Sequence, residues 1–453
     1  MANNFTYDYT NLLASSIGTN NGISKEEILS INDLVENAYF NIFKNPVQDT
    51  QEIINILDNV DTIKIKETAS KIRQNFEYFV VFGIGGSSLG SKAIFNALCH
   101  LNHNDLPKAK RNSAPKFFVE DNVDPEKLQA LFDVLELEKT KFCIITKSGK
   151  TTETLAQFFA IREICEKQLG NKWKEHFIIM VSDTSSFLFE YSKNNNLEII
   201  LDPPANLGGR YSVLSSVGLL PSAVLGLNID DMLDGAKAML KNAQLTNIWQ
   251  NAPLLSATID FLNYKKGKNM IVLNPYASGL QYFNEWFCQL WAESIGRNEK
   301  NNPIGQTPIN VLGPVAQHSQ FQLYLDGPND KIFTFVGVQN FRTKIALPQE
   351  LNLLFVQDVA SNKNFGDLIN IERIASTQAL TKYNKPNETI IIDELNENTL
   401  GKLFMFFIFK MIFIAQLLEI NPYGQPAVES IKLEVSTLLK NDTAPININK
   451  IDI

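Results

Sequence analysis

Histidine and cysteine are both scarce, at four each in 453 residues. Cys99, Cys143, Cys165 and Cys288 are scattered with no C-x-x-C pair, which argues against a disulfide framework and fits reduced cytosolic thiols. His100 and His103 share a polar loop with no third ligand nearby, and His176 precedes an apolar strand, so no metal site is expected from them. Positive charge is short as well. A net charge of −8 argues against a general nucleic-acid binder, and any anion site must therefore be built locally. The N-terminus, MANNFTYDYT, lacks the basic and apolar regions of a secretory leader. No apolar run reaches the roughly 20 residues that span a bilayer. The nearest, LFMFFIFKMIFIAQLL at 403–418, is broken by Lys410 and is expected to be a buried core helix. No repeat of 20–50 residues and no low-complexity tract is visible. These absences lead to the expectation of a cytoplasmic protein without nucleic-acid or membrane partners.

What remains is an ordinary globular composition, 44% hydrophobic and 20% charged, on a chain long enough for two or three domains. Residues 24–43 and 50–75 read as helices, with Ser24 and Glu27 in a capping-box pattern. Apolar strands then alternate with helices: 77–83, 116–120, 141–147 and 176–182, and after a glycine-rich crossing at 206–226, 269–275, 309–314, 331–338 and 389–395. Continuous apolar strands between helices imply parallel sheets covered on both faces. The expected fold is α/β: a helical arm (1–50), two doubly wound αβα units (51–228 and 229–453), and C-terminal helices at 397–419 and 426–440. Ligands in such folds sit beyond the carboxyl ends of the strands.

QLWAESIGR, 289–297, closes an aromatic-rich helix that carries few charges. Gln289 and Glu293 share one helix face, and Gly296 is placed to end the helix in a left-handed conformation. A carboxylate there is partly desolvated and faces the negative helix end, which suits it to take up a proton near neutrality as a general base.

Two loops could hold a phosphate. VVFGIGGSSLG (80–90) runs from strand through glycines into hydroxyls at a helix start, where free N–H groups attract anions. A dinucleotide fingerprint would need glycine where Ser88 stands and an acidic residue about 20 residues further on. KFCIITKSGKTTET (141–154) crowds Thr146, Ser148, Thr151, Thr152 and Thr154 into a strand-to-helix turn. A nucleotide P-loop would need glycine where Ile144 stands. Helix capping accounts for one or two of these hydroxyls. Two such loops together favour a phosphosugar pocket.

Arg210 follows Gly208 and Gly209, which allow close backbone approach, and a semi-buried guanidinium there needs an anionic partner. His318 lies past a strand and a Gly-Pro turn, near a helix start, a position that disfavours the imidazolium and suits the ring to accept a proton. Lys432 reads as an ordinary surface lysine on the last helix, with Gln425 at its entrance.

GIGGSSLG, SGKTTET, LGGRYSVLSSVG, QLWAESIGR, AQHSQFQL and QPAVESIK together resemble the glucose-6-phosphate isomerase family, in the family's order and over residues 70–435. The resemblance implies two sugar-isomerase (SIS) domains and metal-free, cofactor-free interconversion of glucose 6-phosphate and fructose 6-phosphate through a cis-enediol, in glycolysis and gluconeogenesis. It implies that Glu293 moves the proton, that Arg210 stabilises the enediolate, and that His318 and Lys432 open the sugar ring, the histidine coming from the partner subunit of a homodimer. Ser87, Thr146, Ser148 and Thr151, with the Lys147 backbone, match the phosphate cradle. Gly86, Gly209, Gln289 and Gln425 match sugar contacts. The sequence departs from the family pattern at Gly424 and Ala427 around Gln425, and at Ile295 and Arg297 beyond Glu293. A non-catalytic sugar-phosphate sensor would keep the hydroxyl loops without needing Glu293, His318 and Lys432. An amino-sugar phosphate isomerase, or a relative acting on mannose 6-phosphate, would differ only in a few pocket contacts.

Overall fold

The apolar runs form two five-stranded sheets in a computed structural model that describes residues 4–201, 207–299, 301–355 and 357–440. The first holds β2 (Tyr78–Phe82), β3 (Lys116–Glu120), β4 (Thr140–Ile145), β5 (Phe177–Met180) and β6 (Glu198–Ile200), ordered β3-β2-β4-β5-β6 and parallel throughout. The second holds β1 (Phe5–Asp8), β7 (Met270–Pro275), β10 (Thr307–Asn310), β11 (Lys331–Val338) and β12 (Asn387–Ile392), ordered β1-β12-β11-β7-β10. Its strands are parallel except β1, which runs antiparallel to β12. β8 (Arg297–Glu299) and β9 (Asn302–Ile304) make a small antiparallel ribbon.

Numbered from the first parallel strand of each sheet, the first four parallel strands of both sheets share one order, 2-1-3-4, and β6 adds a fifth to the first sheet. The chain therefore repeats a topology without repeating a sequence. In this order the crevice opens between strands 1 and 3, beyond their carboxyl ends. Those strands are β2 and β4 in the first sheet, β7 and β11 in the second.

Strand periodicity explains the layers. Phe79, Val81, Cys143, Ile145 and Ile178 face one core, while Val80, Phe82, Phe142, Ile144 and Ile179 face another. The first of these cores also takes Ile271, Leu273, Val336, Val338, Ile390 and Ile392, so it lies between the two sheets. Its spine is the Glu397–Leu417 helix, the expected core helix, buried on nearly every face. That helix packs tightly on the Ile229–Ala243 helix. A Cβ on Gly235 would stand 1.9 Å from the Asn398 carbonyl oxygen, and one on Gly401 would stand 2.0 Å from that of Met232.

Several boundaries differ from expectation. The arm carries helices but opens on β1, where Phe5 and Tyr7 alternate inward onto Phe406, a pattern too short to read as a strand. Residues 24–43 divide at Ile31 into two helices, the first held by the expected Ser24–Glu27 capping box. Residues 50–75 likewise divide into Gln48–Asn59 and Thr62–Asn75, the second capped by Asp61. The strand expected at 309–314 ends at Asn310, and Gly313–Gln317 is helical.

Candidate active site

The two hydroxyl-rich loops leave β2 and β4, the strands that flank the first sheet's crevice. The helices they open lack side-chain caps. Neither Ser88, before Leu89–Leu98, nor Thr151, before Thr152–Leu169, caps the backbone of its helix. The Thr151 hydroxyl pairs instead with Thr146 Oγ1 at 3.0 Å. Elsewhere Asp124, Ser186, Asn228, Asn251, Asn364 and Asn396 all cap their helices. Helix capping therefore does not account for the threonines, and the amide groups at the start of the Thr152–Leu169 helix are left for another acceptor. Ser87 is half-buried, and its hydroxyl bonds none of the described residues. Ser148 is exposed and accepts from the Lys150 amide at 3.2 Å.

The glycines of this region serve packing. A Cβ on Gly86 would stand 2.1 Å from the Gly209 carbonyl carbon, so the GIGG and LGGR turns meet backbone to backbone. Ser212 Oγ joins them, reaching the carbonyls of Gly209 (2.7 Å) and Gly86 (3.3 Å). Gly85 adopts φ +60°, and a side chain there would strike Gln289. The close approach brings Arg210 to the foot of the first loop.

Arg210 is 1% exposed. Its Nε donates to Ser294 Oγ (2.7 Å), Nη1 to Glu293 Oε2 (3.0 Å) and Gln425 Oε1 (3.1 Å), and Nη2 to the carbonyls of Pro422 (2.6 Å) and Gly424 (3.0 Å). A guanidinium has five N–H donors, and all are used. The anionic partner expected for Arg210 is thus Glu293, and the guanidinium clasps two segments distant in sequence, Glu293–Ser294 and Pro422–Gln425.

Glu293 is 30% exposed at its side chain, and its Oε1 accepts from Gln289 Nε2 at 3.1 Å. Gln289 Oε1 is buried without a hydrogen-bond partner, an acceptor that waits for a donor. Both side chains project from the Gln281–Ile295 helix, as their spacing requires. Gly296 ends that helix at φ −72°, not in the left-handed region. A Cβ there would stand 2.7 Å from the Ala292 carbonyl oxygen, which gives the glycine a steric reason instead.

Two departures from the family pattern meet in space. Arg297 Nη2 donates to the carbonyls of Tyr423 (3.2 Å) and Gly424 (2.8 Å), and Gly424 takes φ +67°. They pin the turn that delivers Gln425 to Arg210.

Lys147 enters with its side chain, not its backbone alone. Burial lowers its ammonium below the ordinary lysine range; Asp49 pulls the other way, and Arg210 adds to the lowering. Neither the Lys147 ammonium nor Asp49 had a sequence signal of its own, because their neighbourhood arises only when the arm packs against the loop.

Two expected residues stand apart. His318 is exposed between two short helices, at the C-cap of Gly313–Gln317 and two residues before the Gln320 N-cap of Phe321–Asp326. Lys432 is exposed on the Pro426–Lys440 helix, 2.6 Å from Glu429 Oε1. That helix buries none of its residues, and Lys432 lies about 10 Å along its axis from Gln425. Of the other histidines, His103 Nε2 and His176 Nδ1 lie at hydrogen-bond distance from the Pro115 and Thr140 carbonyls.

Residues 44–452 match the family model described as Phosphoglucose isomerase. The chain is 38% identical over 416 residues to the glucose-6-phosphate isomerase of Carboxydothermus hydrogenoformans, covering 91% of this chain and 87% of that one. It is 34% identical over 438 residues to that of Methanocaldococcus jannaschii, covering 96% and 99%. The crystal structure of a glucose-6-phosphate isomerase from Chlamydia trachomatis superposes with a TM-score of 0.79 at 21% identity, over 98% of this chain and 89% of that one, and so shares the fold. With that fold, the matched model and these relatives, the chain belongs to the phosphoglucose isomerase family.

Proposed function

We infer that this chain interconverts glucose 6-phosphate and fructose 6-phosphate by aldose–ketose isomerisation, with Glu293 carrying the proton between carbons 1 and 2. The observation that carries the reading is a solvent-reachable carboxylate held between Gln289 and Arg210, beside two uncapped helix starts at one crevice.

The chemistry follows in balanced steps. From the open-chain aldose, Glu293 takes the proton on C2 and the freed electron pair forms the C1–C2 double bond, leaving charge on O1. Proton uptake at O1 gives the cis-enediol. Loss of the O2 proton and return of the carried proton to C1 give the ketose. One carboxylate suffices because the enediol is planar and both carbons present the same face. Acid–base catalysis of this kind contributes about 100- to 10,000-fold. The fixed charge of Arg210 beside the developing enediolate adds to it. All five Arg210 donors are engaged, so it acts through charge and by holding Glu293, unless a substrate oxygen replaces Gln425.

The 6-phosphate is assigned to Ser87, Thr146, Ser148, Thr151 and the Lys147 backbone, with the Lys147 ammonium adding local positive charge on a net-negative chain. Sugar hydroxyls are assigned to Gln289 and Gln425, and the backbones of Gly86 and Gly209 shape the floor. Ring opening falls to His318 of the partner subunit in a homodimer and to Lys432. The latter requires the Pro426–Lys440 helix to turn onto the cleft. Its uncovered Val428, Ile431, Val435 and Leu438 recur at helical spacing and give it reason to pack. The units 51–228 and 229–453 serve as the two SIS domains of this reading. A cytoplasmic setting fits the four unpaired cysteines.

A coupled assay with fructose 6-phosphate, with and without chelator, tests the reading. Activity that survives chelation and falls at least 100-fold in Glu293→Gln, with sugar-phosphate binding retained, is expected. Near-wild-type turnover in that variant would remove Glu293 from the mechanism.

A further inference from the structure

The second sheet repeats the strand order of the first, so it has a crevice of its own between β7 and β11. That crevice is not filled by side chains. A cavity of about 840 Å³ lies there, walled by Ala277, Ser278 and Gly279 after β7 and by residues 340–343 after β11. The end of the Leu89–Leu98 helix closes it through Cys99–Asn102. Small-molecule sites span about 300–1,000 Å³ and combine apolar walls with a few polar groups.

Its chemistry differs from that of the phosphate crevice. The walls are apolar: Leu101, Phe341, Ile345, Phe365, Leu368 and Ile369 all face it. Hydroxyls are few. The charged groups facing it are Arg342 and Glu372. Arg342 Nη1 donates to the Leu98 carbonyl (2.7 Å) and Nη2 to that of Ala97 (2.9 Å). These neutral acceptors use two of its five donors. Among the described residues Arg342 forms no ion pair, and the two carbonyls hold its exposed guanidinium in place. A fixed cation at an apolar wall selects a carboxylate- or sulfonate-like group on an apolar body.

We propose that this cavity is a second ligand site, separate from the sugar-phosphate crevice, that takes organic monoanions with an aromatic or branched aliphatic body. Arg342 binds the anionic group, and the Phe341, Ile345, Leu368 and Ile369 walls take the body. The site also touches the segment that carries His318. Pro314 lines it, and Gln317 is anchored by the Glu372 carbonyl (3.3 Å) and by Ser376 Oγ (2.8 Å).

Anilinonaphthalene sulfonate is the anionic probe and N-phenylnaphthylamine its neutral counterpart, both titrated by fluorescence against the full chain. The expected result is one saturable sulfonate site per chain that saturating fructose 6-phosphate does not displace. Arg342→Ala weakens the sulfonate about tenfold and leaves the neutral probe unchanged. Arg342→Lys keeps the sulfonate bound, which separates charge from any structural part of the Arg342 hydrogen bonds. Thr343→Trp, which fills the mouth, weakens both probes. Sulfonate binding that ignores Arg342→Ala, or that fructose 6-phosphate displaces, would overturn the assignment. So would the absence of saturable binding, as when a partner copy covers the mouth.

Discussion

Two of the buried cations, Lys410 and Arg210, differ in their surroundings in one respect. Lys410 is fully enclosed, 2.7 Å from both Asp260 Oδ2 and Glu388 Oε1, and both of those carboxylates are enclosed as well. Glu388 also accepts from Tyr7 (2.6 Å), Ser256 (3.1 Å) and Thr334 (2.7 Å), so the cluster ties β1, β11, β12 and two helices into one knot. Arg210 is as deeply buried, yet its partner Glu293 keeps a 30% exposed side chain at a crevice. Burial of charge thus marks both a structural knot and a candidate reaction centre. What separates them is whether the carboxylate can be reached from outside.

The sharpest way to break this comparison is to neutralise both carboxylate–cation pairs in turn. Glu293→Gln should cut kcat at least 100-fold in the coupled assay while leaving the urea midpoint nearly unchanged, because Gln keeps an acceptor for Arg210. Lys410→Ala should do the reverse. Removing one partner of a buried ion cluster costs about 3–5 kcal/mol, read by urea unfolding, with the surviving folded enzyme still active. If Lys410→Ala left stability untouched, the knot would not be structural.

A pH series sharpens the same contrast. Desolvation raises the Asp260 carboxyl to about 7 against the pull of Lys410, and neither Asp260 oxygen accepts a well-directed hydrogen bond. Desolvation also opposes the Lys410 ammonium, but Asp260 and Glu388 outweigh it and hold it charged. Between about pH 4 and pH 7 the folded chain therefore keeps a proton on Asp260 that the unfolded chain releases. This contribution is present at low pH and is lost as pH rises through the folded value. Unfolding free energy measured across that window should fall with pH, and Asp260→Asn should flatten the slope. An unchanged slope would contradict the assignment.

Smaller effects discriminate the loops. Gly86→Ala must push the GIGG and LGGR backbones apart and should cost about 1–3 kcal/mol as well as raise KM, read by unfolding and by steady-state kinetics. Ser87→Ala should raise KM alone, since its hydroxyl bonds none of the described residues. Asn228→Ala is the matched control: it removes a helix cap and should cost about 1 kcal/mol with no change in KM.

Much of this was legible in the sequence where residues act locally. The alternation of apolar strands with helices gave the sheets, and Gln289 with Glu293 gave one helix face. The hydroxyl loops were visible because both crowd into strand-to-helix turns. Other features depend on distant contacts. β1 is four residues long and is stabilised by Phe406 and Glu388, nearly the whole chain away. The matching strand order of the two sheets left no repeat to find, since topology constrains only apolar periodicity. Lys410 looked like a flaw in an apolar run because Asp260 and Glu388 are far off in sequence. The Arg210 clasp likewise draws on Ser294, Pro422 and Gly424, none of which carries a motif signal on its own. Lys432 was singled out by resemblance and His318 by its place past a Gly-Pro turn, and neither contacts Glu293 or Arg210 through a hydrogen bond among the described residues.

Hydrogen exchange at carbon 1 of fructose 6-phosphate in D2O, followed by NMR, tests the role of Glu293 most directly. The wild-type chain should replace one C1 hydrogen by deuterium as the enediol forms and collapses, and Glu293→Gln should lose that exchange while still binding the sugar phosphate. Exchange at the wild-type rate in Glu293→Gln would contradict the account.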